Sequence, residues 1–226
     1  MKLTIVIPVY NEEATISKLI EKVKNVKIEG ITKEIIVIDD CSTDNTKNIL
    51  KRITGIKLIS HEKNMGKGAG IKSALKCMTG DIILTQDADL EYDPSDYPKL
   101  MEPFLKANAC VVYGSRLLLD NPRNGLIFSQ GGLLATRLTN WLYKTNLTDL
   151  PTGYKAYKRE VLEKLILKEN GFALEPEITI KLLKRNIKII EVPISYNPRT
   201  VKEGKKIKIF DAFPYFWQIL KQKWSD

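Results

Sequence analysis

The chain has 226 residues, 43% hydrophobic and 28% charged, with 13 Gly and 10 Pro. That length suits one large domain, which buries roughly 70% of the surface its unfolded form exposes and needs no disulfides or structural metal to hold a core. The composition excludes collagen-like, low-complexity and largely disordered chains, and 36 Lys and Arg against 27 Asp and Glu leave a net charge of +9.

The first predicted element is a strand, Leu3 to Val9 (LTIVIPV), an apolar β-branched run of the kind buried on both faces of a sheet. Ile16, Leu19, Ile20 and Val23 then recur at helical spacing. Glu34 to Asp39 is a second buried strand, and Ser42 to Asp44 supply capping side chains for a helix reaching about Ile53. Ile56 to Ser60 is a third strand; a glycine loop and a helix near Ala69 to Met78 follow. Asp81 to Gln86, Ala109 to Tyr113 and Ile187 to Tyr196 complete the predicted strands. Such alternation predicts an α/β fold, a single domain with an open, mostly parallel central sheet flanked by helices. Turn residues cluster at 118–125 and mark a soft internal boundary between parts 1–116 and 117–200, with a basic, aromatic segment at 201–226.

The N-terminus enters a strand without a signal-peptide pattern. Cys41, Cys77 and Cys110 are odd in number and widely spaced, which fits a reducing, cytoplasmic compartment and no zinc site. The longest apolar stretch, Leu126 to Tyr143, is broken by Arg137 and polar groups, so no transmembrane helix is predicted. Positions 181–226 hold eleven basic and four acidic residues, +7 of the +9. This asymmetry points to an anionic partner, whether membrane surface, nucleic acid or phosphorylated substrate, or to a merely solvated face.

Open parallel sheets bind ligands beyond the carboxyl ends of their strands. Five predicted strands end in polar clusters: Tyr10-Asn-Glu12-Glu13, Asp39-Asp40, His61-Glu-Lys-Asn64, Asp87-Ala88-Asp89-Leu-Glu91 and Gly114-Ser-Arg116. Topology would bring them to one edge. Asp87 and Asp89 flank one small residue at a strand tip, where two carboxylates repel unless a cation sits between them. Mg²⁺ or Mn²⁺ bridging to a diphosphate suits that pair, against the plainer reading of a turn cap. Asp39 or Asp40 can accept from a ribose or a base edge, or cap the next helix. Asn64 to Gly70 (NMGKGAG) opens a helix as an anion-attracting loop, but Ile71 stands where a P-loop needs its second Gly. His61 is the only histidine and reads as a packing residue.

The motifs IVIPVYNEEATI, IIVIDDCSTDNT, NMGKGAGIKSAL, DADLEYDP and GSR occur in the order of family 2 glycosyltransferases with the GT-A fold. PTGYKAYKREVL, FALEPEITIKLLKRN and IIEVPISYNPRTVKEGKKI resemble the polyprenyl-phosphate (dolichyl-phosphate) mannosyl- and glucosyltransferases within that family. The resemblance implies an inverting, Mg²⁺- or Mn²⁺-dependent hexosyl transfer from a nucleotide sugar to a polyprenyl phosphate, at the cytosolic face of a membrane. It implies that Pro8, Tyr10, Glu12, Asp39, Asp40, Lys67 and the Asp87-Ala88-Asp89 tip hold the nucleotide sugar. Asp87, Asp89 and Glu91 would hold the metal, and Arg116, Arg199 and Lys205 the phosphates. Asp89 and Arg116 would be the catalytic residues.

A phosphate acceptor is already ionised near neutral pH and needs no strong base; a sugar hydroxyl would need one, and Glu175 or Glu177 is then the candidate. After the basic run Arg199 to Lys208, the residues Phe213, Phe216, Trp217, Leu220 and Trp224 share a helical face suited to a membrane interface or to packing on the domain. A sugar nucleotidylyltransferase lacks its glycine-rich, Arg-containing signature here, and no helix-turn-helix, RNP-like or zinc pattern supports a nucleic-acid binder.

Overall fold

The described residues are 1–122, 126–199 and 212–224 of a computed structural model. Seven strands are present: β1 (Lys2–Val9), β2 (Thr32–Asp39), β3 (Lys57–Ser60), β4 (Ile82–Thr85), β5 (Val111–Ser115), β6 (Lys155–Lys158) and β7 (Ile189–Pro193). They form one sheet in the order β3-β2-β1-β4-β6-β5-β7. Only β6 is antiparallel to its neighbours, β4 and β5. Reversing twice restores the direction, so β5 points the same way as β4 and β1. The carboxyl ends of β1 to β5 therefore meet at one edge, as the alternation predicts. The register is level there: Val9 pairs with Asp39 and Asp39 with Ser60.

Alternate residues of β1 serve opposite faces. Leu3, Ile5, Ile7 and Val9 pack with helix α1 (Ile16–Asn25) and helix α4 (Tyr97–Lys106) in one core. Val6, Ile36 and Ile38 pack with α3 (Lys67–Leu75), α6 (Arg159–Glu163) and α7 (Leu174–Lys184) in the other. Both faces are dry, which is why the early strands read as unbroken apolar runs. Helix α2 (Thr46–Arg52) contributes Leu50 to the first core. A third, smaller cluster joins α7 to α5 (Leu126–Tyr143) and α8 (Ala212–Trp224) through Ala135, Leu147, Ile180 and Ile219. Among the described residues no helix is long and apolar enough to cross a membrane.

Two strands depart from the sequence expectation. Strand β6 has the sequence Lys-Ala-Tyr-Lys, whose charges hide it; Lys155 is nevertheless 1% exposed because it is ion-paired inside the fold. Strand β7 stops at Pro193 rather than Tyr196, and Tyr196 instead forms an isolated antiparallel bridge with Tyr92.

Candidate active site

The tip of β4 is held from below. Gln86 is fully buried; its Oε1 accepts from the hydroxyls of Tyr97 and Tyr154, each at 2.7 Å, and its Nε2 donates to the Asp87 carbonyl at 2.9 Å. Leu90, at φ 64°, turns the chain back so that the Glu91 amide donates to Asp89 Oδ1 at 3.1 Å. Asp89 has its pKa pushed up to about 7 by burial, then by the negative charges of Asp87 and Glu91, against the opposing pull of the Glu91 amide and Arg199.

Asp87 already faces a cation. Lys67, the first residue of α3, lies 2.6 Å from Asp87 Oδ1 and 2.9 Å from Glu175 Oε1. The other oxygen of Glu175 pairs with Lys155. Burial would raise the Glu175 pKa, but Coulomb attraction to Lys155 and Lys67 outweighs it and lowers the value to about 2. Burial lowers the pKa of Lys155, in spite of that partner. Two carboxylates and two ammonium groups thus form one balanced chain from the strand tip into the core.

Several residues predicted as ligand contacts are engaged within the protein. Glu91 accepts from the Tyr196 hydroxyl at 2.6 Å and the Arg199 amide at 2.8 Å. Arg199 donates through Nε to the Asp89 carbonyl at 2.6 Å and pairs through Nη2 with Glu12 at 2.9 Å. Its fork therefore braces the acidic turn against the segment that leads into α1. Glu12 is correspondingly buried. Asp40 accepts from His61 Nδ1 at 2.7 Å and from the amides of Met65 and Gly66 at 2.9 and 2.7 Å. It fastens the glycine loop, and His61, bridging on to Ser73 at 2.9 Å, is the packing residue predicted. The glycines of that loop have a backbone reason too. A Cβ on Gly66, at φ 91°, or on Gly68 would stand 2.8 Å from the Asn170 carbonyl.

Asp39 is different. It is fully buried, its Oδ1 accepts from the Ser42 amide at 3.0 Å, and its Oδ2 has no hydrogen-bond partner among the described residues. A buried carboxylate oxygen left unpaired is costly, and a ligand hydroxyl or N–H would satisfy it. Pro8 is half-buried and Tyr10 exposed beside it on the same edge, while Ala88 is buried, its carbonyl accepting from Thr15 at 2.9 Å.

On the far half of the edge, Arg116 donates to Asp149 in a two-pronged bond, Nε and Nη2 each at 2.7 Å, with its amide adding a third at 2.9 Å. The guanidinium also lies 5.0 Å from the centre of the Tyr196 ring. Asp149 is itself set by Glu191, whose carboxylate accepts from the Thr148 and Asp149 amides at 2.7 and 3.0 Å. The planar fork expected to grip phosphate is thus largely committed to Asp149. Arg116→Lys retains charge and loses that fork; turnover is expected to fall at least about tenfold, a change of ~1.4 kcal/mol, with a small drop in Tm. Wild-type kinetics for the variant would remove Arg116 from the site. Glu177 is fully buried and accepts from the Lys168 and Glu169 amides and from Lys181, so it is a structural anchor for the segment before α7. Lys202, Lys205, Lys206 and Lys208 lie outside the described residues.

Gln86, Asp149, Lys155 and Glu191 were not anticipated. Asp149 sits in a stretch that reads only as turn (TDLPTG), and a lysine in a strand gives no sign of burial.

A divalent cation fits the tip through two carboxylates, Asp87 and Asp89. Burial first, and then the charge of Asp87, raises Asp89, and Mg²⁺ or Mn²⁺ is commonly held by one or two carboxylates completed by phosphate oxygens. Each Glu91 oxygen already accepts a hydrogen bond, and among the described residues no group of three His, Cys, Asp or Glu gathers for a metal.

Comparison with known proteins matches this architecture. The curated relatives include the dolichol-phosphate mannosyltransferase of Pyrococcus furiosus, 29% identical over 98% of this chain and 64% of that protein. They also include the low-salt glycan biosynthesis hexosyltransferase Agl6 of Haloferax volcanii, 29% identical over 97% of this chain and 52% of that protein. The chain thus spans between about half and two thirds of these two relatives' length. Among solved structures, glucosyl-3-phosphoglycerate synthase from Mycobacterium tuberculosis, in complex with Mn²⁺, UDP and phosphoglyceric acid, superimposes with a TM-score of 0.79. It is 24% identical and covers all of this chain and 79% of that one, a likeness of fold. The sequence profile described as glycosyl transferase family 2 matches residues 4–166, most of the chain and every strand-end motif from Tyr10 to Arg116. That match displaces the nucleotidylyltransferase and nucleic-acid-binding readings: the chain is a member of glycosyl transferase family 2, a glycosyltransferase.

Proposed function

We propose that the chain transfers a hexose, with inversion, from a nucleotide sugar to a polyprenyl phosphate. One observation carries the acceptor. Arg116 is followed directly by three exposed leucines, Leu117, Leu118 and Leu119, at 42, 45 and 40% exposure. Asn121 ties this turn down, donating to the Arg116 and Ile194 carbonyls and accepting from the Tyr196 amide. A cation beside a solvent-facing apolar patch suits a phosphate that carries a hydrocarbon tail. The Pyrococcus relative's name points the same way.

The residues divide the work. Asp39 Oδ2 accepts from the ribose or base of the donor. Asp87 and Asp89 hold the divalent cation, which when bound neutralises the charge developing on the leaving diphosphate. Lys67, beside Asp87, adds a fixed positive charge next to the same diphosphate. Glu12, Asp40, Glu91 and Arg199 keep the acidic turn and the glycine loop in place. An acceptor phosphate is ionised at neutral pH and attacks without a base. That fits a site whose Glu175, at about pKa 2, is too weak a base to deprotonate a hydroxyl and whose Glu177 is tied to Lys181. Parts 1–116 and 117–200 serve donor and acceptor respectively.

The test supplies Mn²⁺ or Mg²⁺, then GDP-mannose, UDP-glucose or a UDP-N-acetylhexosamine in turn. Each is offered with a detergent-dissolved polyprenyl phosphate or with 3-phosphoglycerate. Metal-dependent sugar transfer to the lipid phosphate is expected with one donor. Transfer to phosphoglycerate alone, or to a soluble sugar hydroxyl, would overturn the acceptor assignment.

A further inference from the structure

The segment Thr148 to Tyr154 (TDLPTGY) reads in sequence as a turn, yet most of it is interior: Asp149, Leu150, Thr152, Gly153 and Tyr154 are all buried. Its first half carries Asp149, which holds Arg116. Its second half is fastened to the tip of β4. The Gly153 amide donates to the Tyr92 hydroxyl at 2.7 Å, and the Gly153 carbonyl accepts from Thr85 Oγ1 at 2.7 Å. Thr85 closes β4, two residues before Asp87. The backbone at 153 is thus tied to the strand end that carries the acidic turn. A Cβ placed on Gly153 would overlap Asp87 Oδ2 and stand 2.9 Å from the Tyr92 ring and 3.1 Å from Asp87 Cγ. Gly153 is not at positive φ, so its backbone is open to any residue and the requirement is one of space alone. Among the described glycines it is the one with a carboxylate standing where its side chain would be.

Asp87 has little freedom on its other side. Lys67 Nζ lies 2.6 Å from Oδ1, and Lys67 opens α3, whose Ala69 amide donates to the Asn170 carbonyl at 2.8 Å. A methyl group at 153 would therefore meet a hydrogen-bonded backbone behind it and an ammonium-paired carboxylate in front. The side-chain torsion yields first, because turning a carboxyl off its rotamer costs less than breaking two buried hydrogen bonds. The carboxylate that faces the cation would then stand about 1 Å from its native place, a displacement that can cost a site about 10²-fold.

We propose that Gly153 is a positioning residue for the divalent cation: the space it leaves seats the Asp87 carboxylate, and the segment 149–153 thereby sets that carboxylate and Arg116 in one frame. The cation part rests on the reading of Asp87 as a metal ligand; the seating of Asp87 does not. Two measurements on the full chain keep them apart. Calorimetric titration with UDP and, separately, with GDP, each with and without Mn²⁺, reads the cation. Gly153→Ala should bind the nucleotide with Mn²⁺ at least about tenfold more weakly than the parent, and should bind it without metal as the parent does. Gly131→Ala, in α5 with nothing within 4 Å of the added methyl, should match the parent in both. Metal-free thermal unfolding over a double-mutant cycle reads the contact. Gly153→Ala should lower Tm by about 4 °C or more in the parent, and by about half of that or less in Asp87→Ala, where the overlapped oxygen is gone. If Gly153→Ala does not fold, recovery of folding on adding Asp87→Ala is the same result. An equal penalty in both backgrounds would place the clash at Tyr92 and overturn the proposal. So would a folded Gly153→Ala with the parent's Mn²⁺-dependent affinity. Nucleotide binding by the parent that ignores Mn²⁺ would sink the metal reading and the cation part with it, and the Tm cycle would still decide whether Gly153 seats Asp87.

Discussion

Asp89→Ala is expected to abolish metal-dependent binding of the nucleotide sugar and to lower turnover by about 10² to 10³, the usual loss when a group stabilising transition-state charge is removed. The same variant should be no less stable than the parent, and more stable above neutral pH. The sign follows from the shifted carboxyl. A folded pKa of about 7 lies above the ordinary 3.8, so the native state prefers the protonated form. The cost of ionising it in the fold grows between about pH 4 and pH 7 and is complete above that. Alanine removes this cost at pH 8 while losing only one 3.1 Å bond from the Glu91 amide. A gain of ~1 kcal/mol would raise Tm by about 2–4 °C in a chain of this size. Titration calorimetry with Mn²⁺ and nucleoside diphosphate, paired with metal-free thermal unfolding at pH 8, separates the two effects. Unchanged turnover would remove Asp89 from the metal site, and a large fall in Tm would make it a structural residue.

Glu175→Ala should have the opposite profile, a loss of stability first and of activity as its consequence. Glu175 stands between Lys67 and Lys155, which are 15% and 1% exposed, and removing it strips the buried Lys155 of its carboxylate and leaves Lys67 with Asp87 alone. Breaking a buried pair from one side costs about 3–5 kcal/mol, a large share of a typical domain's stability. Glu175→Gln should recover the shape and little of the energy. The pH dependence is specific: with a folded pKa of about 2 against the ordinary 4.5, the carboxylate stabilises the fold fully above pH 4.5. That contribution falls away as pH drops towards 2. Urea unfolding at pH 7 should show a lower midpoint for both variants, and the wild type should lose stability more steeply than either between pH 4.5 and 2. A parent-like midpoint for Glu175→Ala would mean that the two lysines find other partners.

Much of this protein was legible before any coordinates. Strands β1 to β4 lie within two residues of their predicted limits, because a strand buried on both faces must be an unbroken apolar run. The convergence of Tyr10, Asp39, Asp87 and Arg116 on one edge followed from the parallel order of those strands. The plain reading of His61 held for a similar reason: a single imidazole without a second metal-type ligand is most simply accommodated by hydrogen bonds. Strand β6 escaped notice because its two lysines look like surface, and only the partner of Lys155, twenty residues later in the chain, makes one of them an interior residue.

Residue type and strand order bring these groups to one edge; which of them are already engaged depends on distances across the fold. Arg116 is claimed by Asp149, 33 positions away; Lys67 by Asp87 and Glu175; Arg199 by Glu12, 187 positions away. Residue type predicts that a guanidinium will seek a carboxylate or a phosphate, since both offer the same pair of oxygens to its fork. The choice between them depends on distances in space that no local pattern encodes. The same limit divides α8: helical period groups Phe213, Phe216 and Trp217 together, and the packing of α5 and α7 turns Phe216 inward and leaves the other two to the outside.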